Sequence, residues 1–129
     1  MRKRILVDMS ATLIHHGHIR LLKKANDFGD VIVALTRDEQ IKKYKGYNPE
    51  IKYKHRKEIL DSIKYVKKVI PCNFYLDEKF LKKNKISHLV HGSDNKNNIN
   101  SSKLKIFRRT RGISSSILRK KVYKILKKK

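Results

Sequence analysis

The chain is poor in cysteine, in long apolar runs and in acidic residues, and each shortage closes off a class of protein. A single cysteine, Cys72, stands in 129 residues. Neither an intrachain disulfide nor a multi-cysteine metal site can form, and a reducing compartment is expected. No apolar run approaches the ~20 residues that a membrane-spanning helix needs. Met1-Arg2-Lys3-Arg4 leads only into a strand-length apolar segment rather than a signal-peptide core, so a cytoplasmic location is expected. Eleven Asp and Glu against 34 Lys and Arg give a formal charge of +23. Such an excess commonly marks a nucleic-acid or anionic-membrane partner. Here lysine is scattered through every segment, and only 119–121 and 127–129 form dense clusters. A solvated basic surface is the expected reading, nucleic acid is not an expected partner, and the field should still draw in small phosphorylated anions.

What is present suffices for one core. A chain of this length buries roughly two thirds of its unfolded surface without a disulfide or metal to hold it. Residues 4–9 form a β-branched apolar run without helical period, hence a buried strand. Ile19, Leu21, Leu22 and Ala25 recur at helical spacing over 17–27, with Gly29 as a stop signal, and 31–35 is a second strand. Strand, helix and strand within about thirty residues make a βαβ unit. The lysine-rich 36–50, with Gly46 and Pro49, reads as a short helix followed by a loop suited to be a lid.

Further along, the spacing predicts a helix over 53–66, a strand at 68–71, a helix at 77–84 capped by Asp77, and a strand at 86–90. A loop follows at 92–102, then a strand at 104–107. The last helix, 114–126, carries Ile117, Leu118, Val122, Ile125 and Leu126 on its inner side. No internal repeat or linker is visible. The expected fold is α/β: a Rossmann-like, doubly wound, parallel five-stranded sheet in a single domain spanning 1–129. Ligands of such sheets bind outside the carboxyl ends of the strands.

Two segments at those ends carry the chemistry. His15-His16-Gly17-His18 follows a strand and opens a helix, where unpaired amides and the dipole favour phosphate. Gly17 removes a side chain where a ligand must come close. His15 and His18 can then donate hydrogen bonds to oxygens that gain charge in a transition state. Structural histidines or zinc ligands are the alternatives; no Cys or carboxylate stands at matching spacing for zinc. His55, His88 and His91 carry no such weight individually. The second segment, Arg109-Thr110-Arg111-Gly112-Ile113-Ser114-Ser115-Ser116, again opens a helix, and its serines could equally be an ordinary cap.

These segments, together with Asp8 to Ile14, Tyr53-Lys54-His55-Arg56, Tyr65 to Pro71 and His91-Gly92-Ser93-Asp94, resemble the cytidylyltransferase family of HxGH nucleotidyltransferases. Within it they are most similar to the members that act on glycerol 3-phosphate. The part through HxGH also resembles the cytidylyltransferase-like domains fused to phosphoenolpyruvate mutases. The resemblance implies that a substrate phosphate oxygen attacks the α-phosphorus of CTP in line, with pyrophosphate leaving and no covalent enzyme intermediate. Catalysis is then positioning and charge stabilisation.

Carried over by motif, His15 and His18 would meet the CTP phosphates and the transition state, Lys45 the α-phosphate, and Arg109 and Thr110 the nucleotide. Ser10, Ser114 and Ser115 would meet the triphosphate, with Met9, Gly17, Gly92, Asp94, Gly112 and Ile113 completing the nucleotide site. Arg56 would hold the acceptor phosphate, although it could instead pair with Glu58 or Asp61, and Lys45 could be one solvated lysine among many. Mg2+ is expected with CTP rather than on protein side chains, and a homodimer is implied by resemblance alone.

The family pattern breaks in three places. Thr12 stands where Gly-Thr-Phe-Asp ends in aspartate, Ser93 interrupts Gly-Asp-Asp, and Lys67 replaces an acceptor-side aspartate. Lys67 would favour an anionic or hydroxylated acceptor over a cationic one such as phosphocholine. Two other functions compete: an adenylyltransferase using ATP and a phosphorylated vitamin precursor, and a non-catalytic nucleotide or nucleic-acid binding module.

Overall fold

The computed structural model describes residues 2–92 and 97–128. Five strands alternate with helices: β1 (Arg4–Met9), α1 (His16–Asn26), β2 (Asp30–Thr36), α2 (Asp38–Lys45), α3 (Tyr53–Asp61), β3 (Val66–Cys72), α4 (Glu78–Lys83), β4 (His88–His91), β5 (Leu104–Ile106) and α5 (Ser115–Lys127). The strands form one sheet in the order β3-β2-β1-β4-β5, and every pairing is parallel.

Alternation along the central strands divides the core in two. Ile5, Val7, Val31, Val33 and Leu35 face Leu22 and Ala25 of α1 and Leu60 of α3. Leu6, Ile32, Ala34 and Leu89 face Leu81 of α4 with Leu76 and Ile86. Because both faces of β1 and β2 are covered, these strands read as near-continuous apolar runs. The winding reverses between β1 and β4, which pair from Ile5 opposite His88 to Val7 opposite Val90. The crevice of such a sheet lies beyond the carboxyl ends of these two strands.

Several boundaries differ from expectation. α3 stops at Asp61, not at 66: Ser62 caps it, its hydroxyl donating to the Ile59 carbonyl, and a turn delivers Val66 to β3 opposite Val31. Ladder bonds to β2 outweigh the helical spacing of Val66. Gly29 does not cap α1, whose last turn closes on Asp27 in right-handed conformation. Its bare Cα instead lets the chain pass Lys3, whose carbonyl oxygen a Cβ would overlap. β4 begins two residues later than predicted, and the loop after it contains a 3-10 turn at Ser101–Lys103.

The inward face expected of the last helix is the largest departure. No residue of α5 is buried, and Val122, Ile125 and Leu126 are 52%, 60% and 63% exposed. Apolar periodicity reports an amphipathic helix but not what covers it.

Candidate active site

Beyond the carboxyl ends of β1, β2 and β4 lies a cavity of about 540 Å³. Its walls come from distant parts of the chain: Met9 at the end of β1 with Ser10 and Thr12 after it, His15, Gly17 and His18 around the start of α1, Lys45 at the end of α2, Gly92 after β4, and Arg109, Thr110 and Ile113 to Ser115 around the start of α5. The two predicted phosphate segments therefore share one cavity.

Local hydrogen bonding sets the chemistry of the histidines. His15 caps α1, its Nδ1 accepting the Gly17 amide at 3.0 Å. His18 reaches back, its Nδ1 accepting the His15 amide at 3.1 Å. This is a capping box built from two imidazoles in place of hydroxyl and carboxylate. With Nδ1 used as an acceptor, each neutral ring carries its proton on Nε2. Burial, and then the neighbouring His16, lowers the His15 pKa. Burial holds His18 down to about 3, reinforced by His15, Arg109 and Lys45 in that order. Both rings are neutral at pH 7, so each offers a fixed Nε2–H donor rather than an acidic proton.

The second segment is tied to the first. Ser115 Oγ donates to the Leu13 carbonyl at 2.9 Å and takes the Leu13 amide at 3.2 Å. Ser114 caps α5 by accepting the Ile117 amide at 3.0 Å, so it is a cap and a cavity wall at once. Gly112 does not line the cavity; its φ of +76° turns the chain into α5, a conformation that favours glycine. Gly92 lies under Arg109, whose Nε would sit 3.0 Å from an added Cβ. The space at Gly17 is taken by the His15 ring, 2.8 Å from where a Cβ would stand, and not left open for ligand. Asp94, like Ser93, lies outside the described residues.

Two acceptor-side expectations are corrected. Arg56 is fully buried and does not line the cavity. Its Nε donates to the Ile51 carbonyl at 2.9 Å, Nη1 to the Ser10 carbonyl at 2.6 Å and Nη2 to Asp38 at 2.6 Å. A guanidinium engaged on three sides inside the protein is a structural strut, and its carboxylate is Asp38 rather than Glu58 or Asp61. Lys67 sits at a register slip of the edge strand β3, where it pairs with Asp30 at the amino end of β2. That is the end of the sheet opposite the cavity, so Lys67 carries no argument about acceptor charge.

Sequence reasoning missed three groups. Asp8, near the end of β1, holds His91 Nδ1 at 2.5 Å and accepts from Asn97 at 3.2 Å, and all three line the cavity. His91 opens the His91-Gly92-Ser93-Asp94 motif but carries no weight there by itself, Asn97 belongs to no motif, and no spacing relates either to Asp8. Tyr44, Phe74 and Tyr75 form a cluster with ring centroids 5.0–5.1 Å apart at the cavity wall. Lys45 Nζ lies 6.0 Å from the Phe74 ring. The cavity also takes in Arg20, Lys24 and Arg108, so it is strongly cationic, with Asp8 its one carboxylate among the described lining residues.

A parallel α/β sheet with histidine donors, a lysine, an arginine and two helix amino ends around one crevice is an arrangement suited to phosphate groups. Residues 10–121 match the model of the family described as cytidylyltransferase-like. The glycerol-3-phosphate cytidylyltransferase of Staphylococcus aureus is 36% identical over 129 residues, covering 94% of this chain and 96% of that one. The FAD synthase of Pyrococcus horikoshii is 40% identical over 68 residues, covering 52% of this chain and 46% of its own. In fold the chain resembles the lipopolysaccharide core biosynthesis protein of Thermoplasma volcanium, with a TM-score of 0.65 at 20% identity over 97% of this chain and 89% of that one. The chain belongs to the cytidylyltransferase-like family and is a nucleotidyltransferase.

Proposed function

We propose that the cavity binds CTP and that the enzyme transfers CMP to a small phosphorylated alcohol, glycerol 3-phosphate being the first candidate. The observation that carries this reading is the pair of neutral Nε2–H donors, His15 and His18, set beside Lys45, Arg109 and the start of α5. The acceptor's phosphate oxygen forms the new bond to the α-phosphorus as the bond to pyrophosphate breaks. The attacking phosphate is already anionic, so no general base is needed. Neutral donors suit such a transfer, because they stabilise charge gathering on the α-phosphate oxygens without giving up a proton. Lys45 and Arg109 supply the fixed positive charge.

No group of three His, Cys, Asp or Glu able to hold a metal occurs among the described residues, and Asp8 is engaged by His91 and Asn97. Mg2+ is expected to enter on the triphosphate oxygens of CTP, where it would neutralise charge on the leaving pyrophosphate. A homodimer remains our expectation, and the exposed row Val122, Ile125 and Leu126 gives it an apolar face to bury. No helix among the described residues is long and apolar enough to cross a membrane.

One observation favours a second reading. The aromatic cluster Tyr44, Phe74 and Tyr75 would stack well on a planar acceptor, which suits ATP with a phosphorylated flavin better than a polyol. Pyrophosphate release decides between them: CTP with glycerol 3-phosphate and with phosphocholine, against ATP with flavin mononucleotide, with His18→Ala as control. Turnover with CTP and glycerol 3-phosphate that falls about a hundredfold or more in His18→Ala supports the first reading. Turnover confined to ATP and the flavin supports the second, and none with any pair rejects both.

A further inference from the structure

Arg119 lies one turn into α5, outside every motif described above, yet it bridges three segments of the site. Its Nε and Nη2 both reach the Glu50 carboxylate, Nη2 at 2.8 Å, and Nη2 also donates to Thr12 Oγ1 at 3.1 Å. Its guanidinium stacks on Tyr47, 4.5 Å from the ring centroid. Thr12 is buried, lines the cavity and stands where the family pattern has an aspartate. Tyr47 and Glu50 belong to the connection between α2 and α3, which begins at Gly46, with φ of +80°, directly after Lys45.

The connection is held by two arginines. Arg56 grips its far end at the Ile51 carbonyl, and Arg119 grips its middle. A single exposed ion pair contributes little to stability. A forked carboxylate bond joined to a stack and a buried hydroxyl instead fixes geometry, because the planar guanidinium satisfies all three partners in one orientation only. The three points span the β1–α1 loop, the segment after Lys45, and the helix that begins at Ser115. Those are the elements that carry the lysine, the histidines and the serines of the cavity.

We propose that Arg119 is a positioning residue that latches the Gly46–Lys52 connection onto α5 and Thr12, and thereby holds the Lys45 end of α2 over the phosphate site. The inference rests on reading the cavity as a nucleotide site. Losing the latch frees the connection that follows Gly46, loosens the last turn of α2 that it anchors, and lets the Lys45 ammonium drift from the phosphate site. Misplacement of a binding group by about 1 Å can cost a hundredfold in rate.

The test is a double-mutant cycle between Arg119→Ala and Lys45→Ala, read as kcat/KM for CTP at a temperature where circular dichroism shows each variant folded. Arg119→Ala should lose about tenfold to a hundredfold in the wild-type background and less than about twofold when Lys45 is already alanine. Glu50→Gln should reproduce most of the loss. Arg119→Lys should recover only part of it, because an ammonium cannot form the fork. A loss that is unchanged in the Lys45→Ala background, or no loss at all, overturns the proposal. Should the unaltered enzyme release no pyrophosphate with any pair, the function above fails on its own, and trypsin cleavage after Lys45 and Lys52 judges the latch. Faster cleavage in Arg119→Ala than in wild type then supports it, and equal rates refute it.

Discussion

Replacing Arg56 by methionine separates a strut from a substrate contact. Methionine keeps most of the apolar stem and removes the guanidinium. Two backbone carbonyls, of Ile51 and Ser10, then lose a charged donor inside the protein, and Asp38 loses its partner at 2.6 Å. A hydrogen bond from a charged group contributes about 1.5–3 kcal/mol, and an acceptor left buried costs its own desolvation. The Asp38 part must be discounted, because that side chain is 40% exposed and water can replace the arginine. The buried guanidinium also carried a desolvation cost of its own that methionine does not. The balance is a loss of about 3 kcal/mol, or a fall in Tm of roughly 10 °C for a domain of this size. Thermal unfolding followed by circular dichroism measures the first quantity. Pyrophosphate release well below the variant's Tm measures the second, with an acceptor KM within about threefold of wild type expected. An unchanged Tm with an acceptor KM raised a hundredfold would refute the strut and restore the acceptor-phosphate role.

Three further outcomes follow from the geometry. The folded pKa of His18 lies below its ordinary value, so protons bind the unfolded chain preferentially; stability should be fully present above about pH 6.5 and fall as the pH drops below it. NMR titration should find the His18 ring neutral down to pH 5, and a ring that titrates near 6.5 would contradict the buried donor. Gly17→Ala should keep the fold but push the His15 ring off its cap, lowering turnover about tenfold or more, read as kcat with circular dichroism as the folding control. Tyr53 Oη is buried with no hydrogen-bond partner among the described residues, so Tyr53→Phe should leave stability unchanged or raise it by about 1 kcal/mol in urea unfolding.

Much of the site is legible in the chain because helix amino ends and tight turns are local. His15, Gly17 and His18 are related through bonds spanning two or three residues, and Ser114 caps the helix that it begins. Their spacing carries the geometry. Arg56 is legible only as a motif residue, since its three partners come from three segments and no spacing distinguishes a buried arginine from one on a surface. Asp8 and His91 lie 83 positions apart and meet because β1 and β4 are neighbours in the sheet. Lys67 illustrates the opposite failure: the residue is where the family pattern puts it, but β3 carries it to the amino edge of the sheet, beside Asp30.

The order of apolar runs, the helix starts and the two phosphate segments were determined by local chemistry, in which short-range hydrogen bonds and side-chain period choose each element. Strand order was not, and it decided which strand ends share a crevice, while contacts between segments decided which arginine is buried and which helix is left uncovered. Those outcomes depend on contacts between segments far apart in the chain. Burial takes its energy from whichever apolar faces meet, and no local spacing states which faces those are.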